Sequence, residues 1–159
     1  MPSTAYCRVL CVDDDADACE MISALLKYSN IEARCVQSAE EALRLIKTDT
    51  FDVYLLDSWL PGVNGFELCR RIRGFDSSTP IVFYSGAAFP TDKQKAIEAG
   101  ANAYLIKPNV DRLVETIMHF GKGANERCRP TISPEAADRA GTEVNPARDE
   151  ATPVVLSVS

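Results

Sequence analysis

The sequence predicts an α/β fold in which five strands alternate with five helices. Four short runs are apolar without alternation, which is typical of strands buried on both faces; they are residues 9–12, 53–56, 81–84 and 103–106. A fifth, shorter strand is expected near residues 33–36. Between the runs, apolar residues recur at helical spacing. This alternation with short connections predicts a parallel sheet with helices on both faces.

Capping residues predict where three of the helices begin. Ser38 with Glu41 and Thr91 with Gln94 each form a capping-box pair, in which a hydroxyl and a carboxylate or amide bond reciprocally to backbone N–H groups. Asp15 precedes the first helical stripe and is expected to cap that helix.

Length and charge restrict the class of protein. The chain has 159 residues, of which 46% are hydrophobic and 25% charged, so it suits one globular domain. The net charge of −6 argues against nucleic acid as a direct ligand. Without a signal-peptide segment or a run of roughly 20 apolar residues, we expect a cytoplasmic protein with no membrane insertion. Helical periodicity stops near Gly121, so residues 1–6 are interpreted as an extension, 7–120 as the domain and 121–159 as a disordered tail.

The six cysteines are expected to be reduced. Five of them fall in or beside predicted strands and on helix faces, namely Cys7, Cys11, Cys19, Cys35 and Cys69. There is no CxxC pair and no nearby histidine, so neither a disulfide framework nor a zinc site is predicted. The single histidine, His119, lies off the apolar stripe of its helix and is expected at the surface.

Polar groups follow four of the predicted strands. Asp13 and Asp14 follow the first run and Asp57 the second, while Ser85 and Lys107 follow the third and fourth. Parallel strands align their carboxyl ends along the edge where open α/β sheets bind ligands. Three acids, a hydroxyl and an ammonium at that edge can hold a divalent cation, attack phosphorus and neutralise developing charge. The simpler interpretation of Asp57 is a cap, and of Lys107 a solvated surface residue.

The same residues carry a family resemblance. Residues 7–120 resemble the receiver domain of two-component response regulators, close to the single-domain chemotaxis type. The ordered motifs are Asp13-Asp14, Asp57, Leu60-Pro61-Gly62 with Gly65, Ser85, Tyr104 and Lys107-Pro108.

The resemblance implies a doubly wound, flavodoxin-like sheet with strand order 2-1-3-4-5. It implies that Asp57 accepts a phosphoryl group from a sensor histidine kinase or phosphotransfer protein, next to Lys107. It also implies Mg²⁺ as cofactor, held by Asp13, Asp14, Asp57 and the backbone carbonyl of Trp59. Ser85 and Tyr104 would form the conformational switch, and the Lys107-Pro108 peptide would be cis.

Two other functions fit parts of the sequence. A receiver fold can act as an unphosphorylated docking module, although this chain keeps every expected polar group. Asp13-Asp14-Asp15 after a buried strand also resembles the nucleophile loop of haloacid dehalogenase-type phosphatases, but the cap and late acid pair of that group are not visible. We therefore expect a phosphorylation-dependent switch that acts on a protein partner, and no enzymatic activity beyond its own phosphorylation and dephosphorylation.

Overall fold

The computed structural model describes residues 7–128 of the chain, with side chains described through residue 121. Five strands and five helices alternate within this part of the chain. The strands are β1 (Cys7–Val12), β2 (Ile31–Val36), β3 (Val53–Leu56), β4 (Ile81–Ser85) and β5 (Ala103–Ile106). The helices are α1 (Ala16–Tyr28), α2 (Ala39–Thr48), α3 (Gly65–Arg73), α4 (Pro90–Ala99) and α5 (Val110–Cys128).

The strands form one parallel sheet in the order β2-β1-β3-β4-β5, which confirms the expected topology. The chain first adds β2 on one side of β1 and then β3 on the other. The crevice at this reversal is where ligands bind in such sheets. Val12 pairs with Leu56 across it, so the residues that follow these strands emerge side by side.

Two apolar layers cover the sheet because successive strand residues point to opposite faces. On β3, Tyr54 and Leu56 pack towards α2, α3 and α4, whereas Val53 and Leu55 pack towards α1 and α5. All four residues are buried. Burial on both faces explains why these strands show no polar alternation.

Two predicted helix caps are confirmed and one is wrong. Asp15 accepts hydrogen bonds from the first turn of α1, and Ser38 accepts one from the amide of Glu41 at the start of α2. The start predicted at Thr91 is wrong, because α4 begins at Pro90 with Phe89 as its uncapped first flanking residue. Proline at the first helical position lacks an N–H that would have no partner within the helix, and its fixed φ already suits that position.

The last helix extends beyond the predicted end of the domain. α5 continues to Cys128, past residue 120 where the apolar stripe ends. Of the tail predicted over residues 121–159, residues 129–159 lie outside the described residues, as does the extension predicted over residues 1–6. Within the part of the chain that is described, no helix is both long and apolar enough to cross a bilayer.

The guanidinium of Arg73 ties together the amino ends of β4 and β5. It donates to the carbonyls of Gly100, Asp76 and Thr79 at 2.8–2.9 Å and to Oδ1 of Asn102 at 2.9 Å. Gly100 has a φ of +110°, and an added Cβ there would lie 2.7 Å from Cγ of Arg73. Both the backbone conformation and the available space therefore require glycine at this position.

Candidate functional site

Three carboxylates meet at the crevice between β1 and β3. Backbone hydrogen bonds from Asp13 to the carbonyl of Val36 (3.1 Å) and from Asp57 to that of Val12 (3.0 Å) continue the sheet by one residue. One carboxylate oxygen from each of Asp13, Asp14 and Asp57 lies within 4.8 Å of the other two. Asp13 and Asp57 are buried, whereas Asp14 is exposed. The sheet therefore brings together the acids that the sequence placed at separate strand ends.

Lys107 reaches into this cluster from the end of β5. Its amide donates to the carbonyl of Ser85 at 2.9 Å, which fixes the backbone next to β4. Its Nζ donates to Oδ2 of Asp13 at 2.7 Å and lies 3.3 Å from Oδ2 of Asp57. The peptide to Pro108 is cis, as expected. The Lys107 ammonium therefore places a positive charge between two carboxylates, where it can also contact an anionic ligand that binds at this site.

Burial and neighbouring charges act in opposite directions on the pKa of Asp57 and on that of Lys107. Burial raises the pKa of Asp57, while the charge of Lys107 and a hydrogen bond from the Trp59 amide (3.3 Å) pull that pKa down, and the net shift is upward. For Lys107, burial alone would lower the pKa, but its hydrogen bond to Asp13 and the charge of Asp57 raise it overall. The lysine is thus held as a cation, and the ionised form of Asp57 is incompletely compensated.

A chain of hydrogen bonds leads away from the acids through Ser85. Its hydroxyl lies 2.5 Å from that of Ser58 and accepts from the amide of Ala87 at 3.2 Å. The carbonyl of Ala87 in turn accepts a 2.7 Å hydrogen bond from the hydroxyl of Tyr104. Ser58, Ser85 and Tyr104 are all buried. The two predicted switch residues are therefore connected through the loop that follows β4.

The first residue of α3 contacts the loop after β3 and fixes its position. Gly65 donates to the carbonyl of Ser58 at 3.1 Å, and a Cβ at this glycine would lie 2.1 Å from the backbone oxygen of Asp57. Any larger residue at position 65 would displace the loop that carries Asp57 and Ser58. Trp59, in this loop, is 73% exposed. Coordination of a metal by the Trp59 backbone carbonyl stays a prediction.

The donor set at the crevice fits a hard divalent cation. Carboxylate oxygens are the ligands that Mg²⁺ prefers, and Mg²⁺ is commonly bound through a few carboxylates and the phosphate of a substrate. The three acid side chains carry more negative charge than Lys107 alone can neutralise, so a cation would be favoured here.

Comparison with known families agrees with this geometry. The family model of the response regulator receiver domain matches residues 9–118. The chain belongs to this family. It contains the receiver domain that is found in response regulators.

Two curated relatives of this chain are named as response regulators. DNA-binding response regulator MtrA of Mycobacterium tuberculosis (strain ATCC 25618 / H37Rv) is 36% identical over 101 residues, which cover 64% of this chain and 44% of that protein. Response regulator ArlR of Staphylococcus saprophyticus is 30% identical over 111 residues, or 69% of this chain and 50% of that protein. The chain thus spans about half or less of the length of these relatives.

Solved receiver structures superpose on the described fold. A CheY-like receiver domain protein from Methanospirillum hungatei JF-1 has a TM-score of 0.70 at 27% identity, and it covers 76% of this chain and 97% of its own. Chemotaxis response regulator CheY4 of Vibrio cholerae has a TM-score of 0.65 at 31% identity, with coverage of 71% and 97%.

One residue of the receiver site escaped sequence reasoning. Ser58 follows Asp57 directly, and a serine after an acid is typical of any polar loop. Its only distinguishing signal was its place next to Asp57 at a strand end. The structure adds its burial and its hydrogen bond to Ser85.

Proposed function

We propose that this receiver domain takes a phosphoryl group onto Asp57 from a sensor histidine kinase or a phosphotransfer protein, and then alters its contacts with a downstream protein. The observation that carries the proposal is the placement of Lys107 Nζ between Asp13 and Asp57, at 2.7 and 3.3 Å. A solvated surface lysine would not be fixed by two buried carboxylates.

In the proposed reaction, a carboxylate oxygen of Asp57 attacks phosphorus, forming an O–P bond as the P–N bond of the donor phosphohistidine breaks. The leaving imidazole retains the electron pair of that bond. Lys107 can then move from the free carboxylate to a phosphoryl oxygen, where its positive charge offsets the added negative charge. Mg²⁺ held by Asp13, Asp14, Asp57 and the Trp59 carbonyl would supply further charge neutralisation.

The proposed switch begins at Ser85. A serine hydroxyl carries one proton, so in the arrangement where Ser85 donates to Ser58, that proton must leave Ser58 before it can reach a phosphoryl oxygen. Any movement of Ser85 is transmitted to Ala87 and so to the hydroxyl of Tyr104. The loop after β4 and the face formed by α4, β5 and α5 are therefore the proposed output surface, read by a protein partner.

Acetyl phosphate with Mg²⁺ tests the proposal without a cognate kinase. The intact protein should gain the mass of one phosphoryl group, labile to hydroxylamine as an acyl phosphate is. Asp57→Asn should gain none, whereas Asp17→Asn, an exposed aspartate on α1, should match the wild type. Equal labelling of Asp57→Asn would refute the assignment. No labelling of the folded wild type would favour the docking module over the phosphorylation switch.

A further inference from the structure

Three cysteine thiols converge beneath the acid cluster. Cys11 on β1 and Cys35 on β2 are register partners in the sheet, and Cys19 comes from the first half of α1. The three sulfur atoms lie within 4.8 Å of one another. Sequence spacing did not predict this, because the thiols come from three different elements and meet only once the sheet has formed.

The cluster differs from ordinary buried cysteines. A buried thiol usually packs singly as a small apolar group, as Cys7 and Cys69 do, neither of which joins a metal-ligand group among the described residues. Three converging thiols would leave one unpaired if a disulfide formed. Three sulfur ligands can instead hold one cation.

The dimensions suit a thiophilic ion. With Zn–S bonds of about 2.3 Å, tetrahedral coordination places the sulfur atoms about 3.8 Å apart. Contraction from separations of up to 4.8 Å requires movements of about an ångström or less, shared among three side chains. Cys35 is half-buried on the edge strand β2, so an ion has a route from solvent. The hydroxyl of Ser23 lies 3.3 Å from the Cys35 sulfur. Its oxygen, or that of a water molecule, can supply the fourth ligand beside the three sulfur atoms.

We propose that Cys11, Cys19 and Cys35 form a second metal site, separate from the carboxylate site, that binds one Zn²⁺ ion. An all-sulfur donor set selects soft or borderline ions over Mg²⁺. Binding converts three thiols to thiolates and releases three protons, which leaves one net negative charge on the complex. A monovalent ion such as Cu⁺ would leave two, which is less favourable in a buried site.

The site would communicate with the receiver chemistry through Cys19. Its thiol donates to the backbone carbonyl of Asp13 at 3.3 Å. A zinc-bound thiolate has no proton to donate, so metal binding removes this hydrogen bond from a residue of the acid cluster.

Cd²⁺ is the spectroscopic probe for the test, because its thiolate complexes give an ultraviolet charge-transfer band that carboxylate complexes lack. The full-length reduced protein, in millimolar Mg²⁺, should develop this band up to one equivalent of Cd²⁺, and a large excess of Zn²⁺ should diminish it. Mutation of a residue that only hydrogen-bonds to a metal ligand lowers metal affinity by about 10–100-fold. Cys35→Ser removes a proposed ligand itself, so this variant should bind Cd²⁺ at least about a hundredfold more weakly. Cys7→Ser and Cys128→Ser are the matched controls and should bind as the wild type does.

Absence of the band in the wild type, or an unchanged band in a folded Cys35→Ser variant, would overturn the proposal. If that variant fails to fold, the wild type alone decides. Zn²⁺ should slow iodoacetamide alkylation of Cys35 about tenfold or more, measured on its peptide by mass spectrometry, while Cys128 serves as the internal reference. Alkylation of Cys35 at an unchanged rate would equally overturn the site.

Discussion

The hydroxyl groups of Ser58, which follows Asp57, and of Ser85 at the end of β4 share a hydrogen bond of 2.5 Å. Both side chains are buried, at 4% and 0% exposure, so water does not readily replace either partner. In the proposed switch, Ser85 donates its proton to a phosphoryl oxygen. In the arrangement where Ser85 donates to Ser58, Ser58 competes with the phosphoryl group for the proton of Ser85.

Ser58→Ala should weaken that arrangement selectively. A lost buried hydrogen bond costs about 1 kcal/mol, so urea unfolding of the unmodified protein should show a loss of that order. If Ser58 and the phosphoryl group compete for the hydroxyl of Ser85, the same energy should make the phosphoryl mimic beryllofluoride bind to the variant about fivefold more tightly in the presence of Mg²⁺. The binding can be followed through the emission of Trp59, the single tryptophan.

Ser77→Ala provides the control, because Ser77 is exposed and should affect neither measurement. Beryllofluoride that binds Ser58→Ala with equal or lower affinity than the wild type would show that Ser58 does not restrain Ser85.

Sequence reasoning was effective for residues whose position follows from strand ends. Asp13, Asp57 and Lys107 were predicted together because parallel strands align their carboxyl ends. Ser58 and the thiols could not be predicted, because their significance depends on side-chain direction and on contacts between elements distant in sequence.

At the scale of elements, the position of β4 relative to α3 depends on Arg73. Its guanidinium makes four hydrogen bonds, three to backbone carbonyls and one to Asn102. Asn102 Oδ1 also accepts from the amide of Ile81 at the start of β4. The amino end of the strand that carries Ser85 is therefore anchored by one side chain from a neighbouring helix.

Arg73→Lys should destabilise the fold despite retaining the positive charge. A lysine ammonium has three donors on a flexible stem and cannot reproduce the planar arrangement of the guanidinium, so some of the four acceptors would lose their partner. We expect a loss of about 2–3 kcal/mol in the free energy of unfolding, measured by urea denaturation. Arg71→Lys on the same helix is the control, since Arg71 is exposed and forms a surface ion pair with Glu67. That variant should lose less than about 1 kcal/mol. Equal losses in the two variants would mean that the anchor is not specific to Arg73.

Element order and type were predictable because long apolar runs and helical stripes are strong signals. Element ends were less so. The start of α4 depended on the choice between a threonine cap and an N-terminal proline, and the extension of α5 to Cys128 lacks an apolar stripe altogether. Continuing a formed helix requires only one more hydrogen bond per residue, which periodicity does not report.

At the scale of the whole molecule, the acid cluster opposes folding unless it is compensated. The pKa of Asp57 is raised in the folded protein, chiefly by burial. A raised carboxyl pKa means that the folded state binds protons more readily than the unfolded state. The contribution of Asp57 to stability therefore falls as the pH rises from its unfolded pKa through its folded pKa.

Mg²⁺ should offset this loss. At ten times its dissociation constant and constant ionic strength, it should stabilise the fold by about RT ln 11, or roughly 1.4 kcal/mol, seen as a higher Tm. The gain should diminish in acid, where protons compete for Asp57. Asp14→Asn should lose most of the gain, and Asp17→Asn should keep it. A Tm that is unchanged by millimolar Mg²⁺ would contradict a functional carboxylate site.

The buried ring of Tyr104 limits how much phosphorylation can change the affinity for a partner. In the unmodified domain this side chain is 1% exposed and its hydroxyl already donates to Ala87. A partner that recognises the surface with this ring inside finds a competent population before any signal arrives, and its apparent affinity is its intrinsic affinity multiplied by the competent fraction. If half of the molecules are competent, phosphorylation can tighten such binding at most about twofold through the ring alone. A large difference in partner binding between the phosphorylated and the unmodified domain must then come from the loop after β4, which Ser85 moves. Because Tyr104 is already buried, we expect some partner binding without phosphorylation.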